Sequence, residues 1–150
     1  MKPRVLDGKA AYEVDFYAWT QTTAESICRG EFGEVDRKHV AEEIADMGKR
    51  DRREVRLRLT VLLTHVLKWQ AQPELREKST WRATIIEQRR QLALLFEDSP
   101  SLYQVAVDGL QATYDDAIRD AAAETKLQAE TFPSMCSYTL DQLLDLEFFR

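Results

Sequence analysis

Glycine and proline are scarce, with 5 Gly and 4 Pro in 150 residues. A fold of many short strands needs a turn signal about every 8–12 residues, so this shortage favours long helices. Cysteine is scarcer still. Cys28 and Cys136 lie far apart and in no CxxC spacing, which excludes a zinc finger or a dithiol redox motif.

Only two histidines occur, His39 and His65, so no three-histidine metal site can form within one chain. The Glu-x-x-His spacing of bundle di-metal proteins is missing: Leu62 stands three before His65 and Asp36 three before His39. HExxH and GxSxG are missing too. Gly30 and Gly33 sit in a turn that lacks a phosphate loop's lysine and hydroxyl, while Gly48 and Gly109 stand alone. No metal and no cofactor is expected, and no motif marks an enzyme. No apolar run is long enough to span a bilayer, and "MKPRVLDGKAAYEVDFYAW" has no apolar leader core. With free thiols, the expectation is a cytoplasmic protein without a membrane partner.

Hydrophobic residues make up 44% of the chain and charged residues 31%, which suits one globular domain with its core over about residues 12–149. Charge is unevenly spread. Residues 1–36 carry 4 basic and 7 acidic side chains, residues 37–96 carry 14 and 8, and residues 97–150 carry 3 and 11. The basic middle either meets an anionic partner or is neutralised by the acidic C-terminal third.

Helical periodicity runs through most of the chain. A first helix is predicted over about Tyr12 to Arg29, closed by Gly30. A second and longest runs from about Arg37 to Gln70, with Asp36 as N-cap and Pro73 beyond its end. Val40, Ile44, Val55, Leu59, Leu62, Val66 and Trp69 form its stripe. Gly48 lies on it, either admitting a close helix or marking a kink. A third helix starts near Ser79 or Thr80 and reaches about Glu97, with Trp81, Ile85 and Leu92 inward. A fourth spans Pro100 to about Glu124 and is apolar over a wide arc, fit for burial or a partner. Thr139 and Gln142 make a capping box for a short last helix. The predicted fold is an all-α, single-domain antiparallel bundle of four main helices plus a short C-terminal one.

One flank of the second helix carries Glu43, Asp51, Glu54, Arg58 and His65 beside the aliphatic stripe. Charges there are costly unless paired. A structural polar network is one reading. A pocket is another, with His65 as ligand or proton carrier and Glu43, Asp51 and Arg58 as its companions. "KRDRREVRLR" places six basic residues against two acidic ones, and Lys49, Arg50, Arg53 and Arg56 face away from the stripe. Such a row could grip phosphates, helped by Arg82, Arg89 and Arg90 beside Trp81. A solvated helix face explains it more simply, so nucleic acid is the weaker alternative.

"YEVDFYAWTQTTAESICRGEFGEVD", "VAEEIADMGKRDRREVRLRLTVLLTHVLKWQAQP", "WRATIIEQRRQLALLFEDSPSL" and "FPSMCSYTLDQLLDLEFF" resemble, in order and spacing, the bacterial family called domain of unknown function 29. "CSYT" departs from that family's usual proline after the cysteine. The resemblance implies an all-helical bacterial domain and carries no activity with it. Its phrases contain Glu43, Gly48, His65, Lys68, Trp69, Pro73 and Trp81, which makes Lys68, Trp69 and Trp81 candidate binding residues. The leading expectation is a small binding or interaction protein that self-associates as a dimer, because the fourth helix is apolar on two sides.

Overall fold

A computed structural model describes residues 8–148, with side chains from Ala11 onward. Its secondary structure is helical, with no strand among the described residues. The α-helices are α1 Gly8–Val14, α2 Phe16–Cys28, α3 Arg37–Ala71, α4 Trp81–Asp98, α5 Leu102–Asp108, α6 Leu110–Thr125 and α7 Leu140–Leu144. Short 3-10 turns cover Phe32–Glu34, Pro73–Lys78 and Ala129–Thr131. The chain divides into two compact units, residues 1–49 and 50–150, and α3 contributes to both.

Local chemistry sets the boundaries. The predicted first helix is broken at Asp15, whose φ of −145° is not helical and whose carboxylate accepts from the Ala18 amide at 3.0 Å. An acidic N-cap inside a periodic run starts a new helix there. Gly30, at φ 74°, closes α2, with Gly30 N–H donating to Ile27 and Glu31 N–H to Ser26. Those two bonds make a Schellman motif. Asp36 caps α3 by accepting from the His39 amide at 3.2 Å, and α3 stops before Pro73. The predicted fourth helix is two helices, α5 and α6, meeting at Gly109 (φ −93°, ψ 4°). Glycine is a poor helix former, and its carbonyl takes both the amide and the hydroxyl of Thr113, beginning α6 afresh. Thr139 and Gln142 exchange both bonds of a capping box ahead of α7.

The core of residues 50–150 is built on the second half of α3. Leu59, Leu62, Leu63, Val66 and Leu67 are buried there, facing Ile85 and Leu92 of α4, Ala106 of α5, Tyr114, Ala117 and Ala121 of α6, and Leu143 of α7. Each fully buried aliphatic side chain stabilises the fold by about 1.5–3 kcal/mol. The Tyr114 hydroxyl donates to the Pro133 carbonyl at 2.7 Å, which seats the connector and buries Phe132 behind it. The wide apolar arc of the predicted fourth helix is thus used inside this unit, with only Val107 left substantially exposed along α5 and α6.

The unit of residues 1–49 is held differently. The Tyr12 ring meets Trp19 edge-on at 4.9 Å and stacks on the His39 imidazole at 3.8 Å. Trp19 is buried, yet its indole N–H finds no hydrogen-bond partner. On α3, Ile44 is exposed although it belongs to the predicted stripe, and so is Met47 one turn further on.

Two substitutions test this packing by urea denaturation. Leu62→Ala is expected to cost about 2–5 kcal/mol, since the site is fully buried. Measured on protein dilute enough to be monomeric, Gly48→Ala is expected to stabilise by up to about 1 kcal/mol, because an added Cβ meets nothing of the same chain within 4 Å and alanine is the better helix former.

Candidate functional site

The last two turns of α3 place a lysine in the wall of the core. Lys68 follows Val66 and Leu67 in register, and its side chain is only 11% exposed. A buried ammonium must be paired. Its Nζ donates to Glu124 Oε2 of α6 at 2.6 Å and lies 5.0 Å from the centroid of the Trp81 ring at the start of α4. Carboxylate and ring face together hold the cation.

His65 stands one turn earlier and is partly buried. Its Nδ1 is 2.8 Å from the Val61 carbonyl, so Nδ1 carries the proton and Nε2 keeps a lone pair when the ring is neutral. Burial lowers its pKa below the usual imidazole value; the Val61 bond opposes this, Lys68 adds to it, and Glu124 opposes it more weakly. The result is a neutral imidazole near a fixed ammonium–carboxylate pair. Such a group can accept a proton or a hydrogen bond.

The predicted flank has separate partners. Glu43 accepts from the Tyr12 hydroxyl at 2.6 Å. Arg58 donates to Glu54 at 2.6 Å and to Gln88 at 3.4 Å. Asp51 is exposed. Among the described residues no hydrogen bond or ion pair joins any two of His65, Glu43, Asp51 and Arg58. The structure instead gathers Lys68 and Trp81 with Glu124, which sequence reasoning did not single out. Trp69 has its own partner: the Arg76 guanidinium lies 5.1 Å from its ring centroid, and Arg76 Nε donates to its carbonyl at 2.6 Å.

A second polar group lies among residues 1–49. Asp36 caps α3 with one carboxylate oxygen and meets His39 Nδ1 with the other at 2.5 Å. The Tyr12 ring covers that imidazole, and its hydroxyl binds Glu43 one helical turn further along α3. The bond to the Glu43 carboxylate, with burial and the nearby acidic charges, pushes the Tyr12 pKa up to about 12. The Asp-x-x-His spacing was visible in the sequence; the tyrosine was not. Among the described residues no group of three His, Cys, Asp or Glu side chains is placed to hold a metal ion.

The basic centre is partly consumed. Arg56 pairs with Asp116 at 2.7 Å and Lys68 with Glu124, both from the acidic C-terminal third. Lys49 pairs with Asp46 at 3.2 Å. Arg89 is buried, with Nε donating to the Leu143 carbonyl and Nη2 to that of Phe148. Arg50, Arg52 and Arg53 remain exposed. No helix among the described residues is long and apolar enough to cross a membrane.

The lowered pKa of His65 has a sign that can be measured. The unfolded chain takes up this proton first, so stability is full above the ordinary imidazole range near ~6.5 and is lost as pH falls through it toward the folded value. Urea midpoints at pH 7.5 and about pH 5.5 should therefore differ more for the wild type than for His65→Gln. Equal differences would remove the buried neutral imidazole.

Comparison with curated proteins and with solved structures finds no match. The family model described as Domain of unknown function DUF29 matches residues 11–149. That match takes in both polar groups and all seven α-helices except the first turn of α1, and the chain therefore belongs to this family.

Proposed function

We propose that this protein is a small helical interaction module that pairs with a second copy of itself through residues 1–49. The observation that carries this reading is the placing of large apolar side chains in water. Val14, Phe16, Tyr17, Ile27, Phe32, Ile44 and Met47 are all exposed in that unit, with Ile44 at 65% and Met47 at 61%. Val40, Ile44 and Met47 recur at i, i+4 and i+7, so they share one side of α3. Scattered apolar surface is ordinary, but a helical stripe of it marks an interaction site.

The shape of that side of α3 favours a second copy. A two-fold interface needs a self-complementary patch. The exposed face of α3 supplies one, because Ala41, Ala45 and Gly48 run beside Ile44 and leave room for a like helix to approach.

Sedimentation equilibrium provides the test. The wild type is expected to be dimeric at about 100 µM. The double variant Ile44→Glu, Met47→Glu is expected to be monomeric with its thermal unfolding little changed, since surface substitutions usually shift stability by less than about 0.5 kcal/mol. A wild type that stays strictly monomeric at that concentration overturns the reading.

A further inference from the structure

A cleft of about 230 Å³ opens among residues 50–150, with neither Lys68 nor Glu124 in its lining. Trp69 at the end of α3, Arg82, Ile85, Ile86 and Arg89 of α4, and Leu146 and Glu147 beyond α7 line it. Drug-sized ligands occupy sites of about 300–1,000 Å³, so this one suits a smaller molecule. We propose that the cleft binds a small carboxylate whose apolar body packs on Trp69, Ile85 and Ile86 and whose anionic group pairs with Arg82.

Seven of the other basic side chains form ion pairs with carboxylates, and Arg76 and Arg89 are tied to carbonyls. Arg82 has no hydrogen-bond or ion-pair partner among the described residues. It lies at the first turn of α4 and is exposed, so its five donors face water at the edge of an apolar wall. A guanidinium in that position is a ready partner for a planar carboxylate, which it can meet with two parallel bonds.

The remaining walls set the rest of the ligand. Ile85 is buried, Ile86 is 38% exposed, and Trp69 offers a broad indole surface, so a flat or short aliphatic body gains by contact. Charge favours an anion: two arginines line the cleft against one glutamate. Arg89 keeps its charge whatever it bonds, and so adds to the potential from the cleft's inner side.

The test titrates the full chain at low salt and pH 7 with 4-phenylbutyrate, following amide shifts by two-dimensional NMR. 4-Phenylbutylamine, of matching shape and opposite charge, is the control. Saturable shifts centred on Ile85, Ile86 and Arg89 are expected, with a Kd on the order of 1 mM or tighter. The amine is expected to bind at least about tenfold more weakly. Arg82→Gln, an exposed position where the fold should persist, is expected to bring acid and amine within about twofold of each other. Absence of saturable binding, equal binding of acid and amine to the wild type, or an unchanged preference in Arg82→Gln would each overturn the proposal. None of these outcomes depends on whether the N-terminal unit self-associates.

Discussion

The packing of Leu59, Leu62, Leu63, Val66 and Leu67 into one core is the constraint on which the rest of residues 50–150 depends. Five side chains of one helix, each no more than 2% exposed, leave α3 no rotational freedom. Every neighbour in register is then placed by geometry. His65 is turned to the edge of the buried arc, and Lys68 into the wall. The ammonium cannot reach bulk water easily from there, so Glu124 and Trp81 are structural necessities before they are anything else. The same register explains why the imidazole stays neutral. A second cation near Lys68, in partly desolvated surroundings, would be the costlier state.

The two halves of α3 do different work, although one helix carries both. The second half is a core element. The first half bears a similar apolar spacing, yet Ile44 and Met47 stay in water. Lys49, Arg50, Arg52 and Arg53, all exposed, are good helix formers and sustain the helix where it lacks tertiary cover. Gly48 weakens it at a position where no side chain of the chain itself needs the room. A residue that lowers helix stability and relieves no internal crowding is understandable if the room is used from outside. That is the physical link between the exposed stripe and a partner helix.

Much of the fold was legible because its signals are local. Asp36 and Pro73 bracket α3, Gly30 closes α2, and Thr139 with Gln142 opens α7; Pro73 acts by lacking an N–H and the others through bonds within five residues. Asp15 and Gly109 were harder, because each interrupts a run whose apolar period continues across it. For the site, the distinction is between a residue and its partner. His65 stood out as a polar group at the margin of an apolar face, and Lys68 and Trp81 through the phrases that carry the family resemblance. Glu124 did not, since it is one carboxylate in a strongly acidic segment and lies 56 residues from Lys68. Glu43 was singled out as a companion of His65, while its actual partner Tyr12, 31 residues away, escaped.

Arg89 shows what composition alone misreads. In sequence it belongs to a basic cluster beside a tryptophan, the pattern of a phosphate-gripping face. In the fold it is 4% exposed, and its donors satisfy the carbonyls of Leu143 and Phe148. α7 has only five residues, and its last carbonyls would be left bare without such a donor. By holding both carbonyls, the guanidinium fixes the path of the chain between them. Leu146 and Glu147 lie on that path, and they form one wall of the cleft whose other wall is α4. The arginine that looks made for an external anion is therefore internal scaffolding, and of the two arginines that line the cleft it is Arg82, two helical turns earlier on α4, whose donors face water.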